Sequence, residues 1–74
     1  MGMKTATTSK AAQWAIDAAR KACSDYLREG NGIFCVEHDD ALNEYAFEVR
    51  DGRDRRTVLA YVNVSEGGAH VVEA

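Results

Sequence analysis

The densest run of side chains able to hold a metal ion or move a proton is Glu37-His38-Asp39-Asp40. Metal coordination and acid–base catalysis both need such groups to converge on one point. On an extended strand neighbouring side chains leave opposite faces, so at most alternate members of this run can meet. His70, the other imidazole, belongs to a segment expected at the far end of the sheet. No metal site and no cofactor are expected. Cys35 and His38 have the types needed for a thiolate–imidazole nucleophile. Strict alternation puts them on opposite faces, however, and no third residue stands out to orient the imidazole. No glycine-rich phosphate loop leads from a strand into a helix, because the helical pattern precedes every strand pattern. The expectation is a protein without catalytic activity, the exception being an oligomer that assembles a pocket the monomer lacks.

Charge is unevenly distributed. Residues 33–49 hold Glu37, Asp39, Asp40, Glu44 and Glu48 and no lysine or arginine, a local balance of minus five in a chain of net charge −3. Carboxylates gathered in this way can face a basic groove, as in an inhibitor that mimics a polyanion. They equally suit a solvated sheet edge that discourages pairing with foreign strands. The segment Arg50-Asp51-Gly52-Arg53-Asp54-Arg55-Arg56 could touch phosphates at a hairpin tip. Its interleaved aspartates offset the arginines, no aromatic intervenes, and the pI is about 5.2. Direct nucleic-acid binding is therefore not expected.

The elements that must position these groups follow from periodicity. From Ser9 to Glu29, Ala12, Ile16, Ala19, Cys23, Tyr26 and Leu27 recur every three or four residues, opposite Lys10, Gln13, Asp17, Arg20, Ser24 and Arg28. This predicts an amphipathic helix, capped by Thr8 or Ser9 and ended by Gly30 in the left-handed region. Its buried alanines predict a close approach to a sheet. Trp14 falls away from the apolar stripe, which leaves two readings open: an exposed interface anchor, or a ring folded over the sheet edge as part of the core.

Beyond Gly32 the period becomes two. Ile33 to His38, Asn43 to Arg50, Thr57 to Val64 and His70 to Glu73 are rich in β-branched and aromatic residues and are separated by turn chemistry. Short connections imply hairpins, and consecutive hairpins imply an antiparallel meander. The fold class expected is α+β, one N-terminal helix packed on a four-stranded meander. Residues 1–8 are expected to form a flexible N-terminal segment and residues 9–74 one domain, since 74 residues leave no room for a second core.

Alternation also assigns faces. The inner set expected against the helix is Phe34, Val36, Tyr45, Phe47, Val49, Val58, Ala60, Val62, Val64 and, through a Gly67-Gly68 turn, Val71. The outer set contains Ile33, Cys35, Glu37, Glu44, Ala46, Glu48, Arg50, Thr57, Leu59, Tyr61, Asn63, His70 and Val72. Within it Leu59, Tyr61 and Val72 form an apolar patch that no remaining segment covers.

A composition of 46% hydrophobic and 28% charged residues without proline is that of a folded, soluble chain. No stretch approaches a membrane span. Residues 1–8 have no apolar signal region, and Cys23 and Cys35 lack metal-ligand spacing, so two reduced thiols and a cytoplasmic location are expected. A chain this short buries a modest share of its surface and gains from association. The leading functional expectation is a small interaction protein that forms a homodimer or binds a protein partner through Leu59, Tyr61, Val72 and Trp14. The alternative is a small acidic inhibitor, of the type phages encode, directed at a host defence or nucleic-acid-processing complex through Glu37, Asp39, Asp40, Glu44 and Glu48.

Overall fold

The change of period at Gly32 is a change of structure. A computed structural model describes residues 11–74, with elements in the order α1 (Gln13–Ala22), α2 (Ser24–Arg28), β1 (Gly32–Asp39), β2 (Glu44–Arg50), β3 (Val58–Ser65) and β4 (Gly68–Glu73). The class is α+β, and the strands form an open antiparallel sheet in the order β1-β2-β3-β4. The segment 1–8 and the caps Thr8 and Ser9 lie outside the described residues.

Two short helices replace the single one expected. The first begins after Ala12, whose carbonyl accepts from the amides of Ala15 and Ile16 and whose side chain gives no cap. It breaks at Cys23, where the backbone has φ −115° and ψ 32°. There the carbonyl of Ala19 accepts both the Cys23 amide, at 3.1 Å, and the Cys23 thiol, at 3.0 Å. Back-bonding of this kind to residue i−4 bends helices. At the end of α2, Gly30 adopts φ 92° as expected. The amide of Asn31 bonds the carbonyl of Tyr26 and that of Gly30 the carbonyl of Leu27, which closes the helix with a Schellman pair.

The core lies between α1 and one face of the sheet. Ala15, Ala19, Phe47, Val49, Ala60 and Val62 are fully buried, and α1 packs on β3 and β4 while α2 touches β1. Small residues at Ala15 and Ala19 let the helix approach closely. The hydroxyl of Tyr26 donates to Glu73 at 3.1 Å, tying α2 to the last strand.

Two bulges change the expected faces. In β1 the register shifts between Cys35 and Glu37, so that Ile33 faces Val49 and Cys35 faces Phe47. Ile33 and Cys35 are therefore core residues, while Phe34 and Val36 are half-buried and stand outside the core cluster. Ile33-Phe34-Cys35-Val36 is apolar throughout, so its pattern carries no choice of face, and the extra residue Val36 resets alternation beyond it. In β3 a second shift, between Val49 and Arg50 of the paired strand, leaves Leu59 as the extra residue. Leu59 packs against the core instead of joining the outer patch, and Val58 pairs with Arg50 instead of joining the core. Tyr45, Phe47, Val49, Ala60, Val62, Val64 and Val71 hold their expected side. The last hairpin turns through Glu66-Gly67, with Ser65 paired to Gly68.

Residues 51–57 are tied to the end of α2. A Cβ at Gly52 would collide with the carbonyl oxygen of Gly30, so a larger residue there must push two backbones apart. The Gly52 amide donates to the side chain of Asn31 at 3.0 Å. Asp51 accepts from the amide of Arg53, and Asp54 from the amide of Arg56 and the hydroxyl of Thr57. Both aspartates thus serve the loop's own backbone.

Candidate functional site

The outer face of the sheet is covered by no described element. Its side chains follow from register. Phe34 pairs with Glu48, Glu48 with Tyr61 and Tyr61 with Val72, giving one row that crosses all four strands. The next row is Glu37, Ala46, Asn63 and His70. Tyr61 is 43% exposed and Val72 46%, whereas Phe34 is half-buried. Of the patch expected from Leu59, Tyr61 and Val72, Leu59 turns to the core, while Tyr61 and Val72 are cross-strand neighbours on the outer face, separated from Phe34 by Glu48.

The two ends of this face carry opposite charge. At the end formed by β1, β2 and their turn stand Glu37, Asp39, Asp40 and Glu44. None of Glu37, Asp39 and Glu44 has an ion-pair partner among the described residues, and Asp40 meets only His38, at 3.4 Å. Asp39 accepts the Leu42 amide and Asn43 takes φ 53°, which together shape the turn. This end opens into a broad hollow of about 900 Å³ whose lining includes Glu37, Asp39, Glu44, Asn63 and His70 and no lysine or arginine. The opposite end carries Arg50, Arg53, Arg55 and Arg56 together with Asp51 and Asp54, a balance of plus two, and Arg56 lies 3.8 Å from Asp54. Arg50 donates to Glu48 at 2.6 and 3.0 Å, so Glu48 is neutralised in place and does not belong to the acidic surface expected of it. The guanidinium groups of Arg50 and Arg55 lie 5.2 and 5.9 Å from the centre of the Phe34 ring. Arg53 and Arg55 have no carboxylate partner among the described residues. A hollow of about 140 Å³ beside Phe34, Arg50 and Arg55 lies at this end.

Trp14 belongs to neither end of the outer face. Its ring meets Tyr45 edge-on, with centroids 5.7 Å apart, and remains 39% exposed. Tyr45 stacks flat on His38 at 4.0 Å. The tryptophan is thus folded over the sheet, at the border of core and solvent.

Among the described residues no group of three or more His, Cys, Asp and Glu side chains could hold a metal ion. The β1 bulge brings His38 round to the face that carries Cys35, contrary to strict alternation, but His38 stacks on Tyr45 and the Cys35 thiol contacts the carbonyl of Glu37 at 3.7 Å. Burial pushes both thiols, Cys23 and Cys35, above the ordinary range, and both cysteines are free. A thiol held neutral in this way is a poor nucleophile.

Phe34 and Arg55 were not legible as site residues from sequence: the first looked like core and the second like a self-neutralised loop. A signal was present in the apolar run 33–36, which can bury only alternate members. Among the described residues no helix is long and apolar enough to cross a membrane. Compared with family models, with curated proteins and with solved structures, the chain shows no match in any of the three.

Proposed function

We propose that this chain is a small non-catalytic interaction protein that docks a protein surface on the outer face of its sheet. One observation supports the reading above others. A row of side chains spanning the four strands, Phe34, Glu48, Tyr61 and Val72, lies uncovered beside the half-buried Val58 and Ala46. Interfaces favour such a mixture, with aromatic and arginine side chains at the centre and a polar rim. Arg50 and Glu48 satisfy one another inside the patch, which lowers the cost of desolvating them on docking.

The acidic inhibitor remains a second reading, favoured by the clustering of Glu37, Asp39 and Glu44 around the large hollow. Glu48 contributes nothing to it, so charge reversal at Glu44 is its sharper probe.

The test is a photo-crosslinking amino acid placed at Tyr61 and, separately, at Asp17 on the exposed side of α1, in the source cell. A discrete protein adduct from position 61 and none from position 17 is expected. Adducts absent from position 61, or equal from both, would sink the reading.

A further inference from the structure

We propose that the outer face docks a second copy of this chain, face to face, about a two-fold axis that lies between the two sheets, parallel to them, and runs across the strands. This rests on the reading of that face as a docking surface and adds the identity and orientation of its occupant. Unneutralised charge carries the argument. Glu37, Asp39 and Glu44 at one end, and Arg53 and Arg55 at the other, have no ion-pair partner among the described residues; Asp51, bound to the loop's own backbone, is likewise without one, so the loop keeps an unpaired balance of plus one against minus three. A surface with a positive end and a negative end is complementary to itself when turned end for end.

Only one kind of two-fold axis does this. An axis parallel to the strands would lay acid on acid and arginine on arginine. An axis across the strands reverses strand direction while keeping β1 over β1. The row Phe34, Glu48, Tyr61 and Val72 of one copy then lies over the row Glu37, Ala46, Asn63 and His70 of the other. Glu37 comes over the corner where Phe34 carries Arg50 and Arg55, and the symmetry repeats the contact. Stacked sheets rotate by only about 30°, so the ends stay in register across the interface.

Area sets the strength. Four strands of about seven residues measure about 20 Å by about 23 Å, roughly 450 Å² in projection. A standard interface buries about 800 Å² of accessible surface per partner. The dimer is therefore weak and depends on its charge pairs, which makes it sensitive to salt.

The experiment is sedimentation equilibrium of the full chain over a range of concentrations, at low and high salt, with two variants. One reverses the acidic end (Glu37→Lys with Glu44→Lys). The other reverses the loop (Arg53→Glu with Arg55→Glu). All four positions are exposed, and thermal melts check that the variants fold. Wild type is expected to dimerise more weakly as salt rises. Each variant alone should dimerise on the order of tenfold more weakly than wild type at low salt. An equimolar mixture of the two should recover the wild-type affinity within a few-fold, because each then meets its complement at both ends. A wild type that is monomeric at every concentration overturns the proposal, and so does a dimer indifferent to both reversals or a mixture that fails to recover. The broader docking reading has its own arbiter: a Tyr61 adduct with the mass of a different protein sustains it while this inference falls.

Discussion

The two faces of one sheet have been put to opposite uses. On the inner face Phe47, Val49 and Val62 have no exposed surface, and α1 closes over them with Ala15 and Ala19. On the outer face Tyr61 and Val72, neighbours in the same strand pair, keep nearly half of theirs. The strands alternate side chains between the faces, so each face was built under the same backbone constraints. The difference is one of partner. The inner face finds its partner within the chain, whereas the outer row has none among the described residues. In a chain of 74 residues, leaving a sheet face uncovered forgoes burial that a small domain can ill spare.

The largest test of that contrast is Phe47→Ala. Removing a fully buried ring from a close-packed core costs about 3–5 kcal/mol, comparable with the whole stability of many small domains, on the order of 5 kcal/mol. Urea denaturation followed by circular dichroism should show a midpoint near zero denaturant or no folded baseline. Should the loss be under about 1 kcal/mol, the inner face would be no more of a core than the outer.

How far these faces were legible depended on alternation. Glu44-Tyr45-Ala46-Phe47-Glu48-Val49-Arg50 interleaves charged or small residues with large ones, and its faces read correctly. Ile33-Phe34-Cys35-Val36 and Val58-Leu59-Ala60 offer no such contrast, and each borders a bulge. A bulge adds one residue and flips everything beyond it, so parity counted from sequence fails where the pattern is silent. This is why Phe34 and Leu59 exchanged roles while Tyr61 and Val72 stayed in place. Trp14 was undecidable for a different reason: the alanines widen the apolar arc of the helix, and only its contact with Tyr45 settles where the indole lies.

Leu59→Ala sharpens the comparison at the bulge itself. Leu59 is half-buried against the core, so its truncation should cost about 1–2 kcal/mol, less than a fully buried leucine. Urea midpoints measured beside those of Tyr61 variants decide the point. If Leu59→Ala were as mild as a change at Tyr61, Leu59 would belong to the outer patch after all.

The smallest expected effect says most about the outer face. Tyr61→Thr and Val72→Thr leave a strand-favouring residue at each position, so strand propensity changes little. In dilute solution each should alter stability by no more than about 0.5 kcal/mol, as for exposed positions in general. At high protein concentration the outcome should diverge. A partner that binds only the folded chain adds to its stability by mass action, so the wild-type melting temperature should rise with concentration and that of Tyr61→Thr should stay nearly flat. Equal slopes would mean that Tyr61 contributes nothing to association. A large loss already present in dilute solution would mean that the row of Phe34, Glu48, Tyr61 and Val72 is needed for folding within the chain. A small loss in dilute solution with a flattened slope would mean that this row is held for a partner.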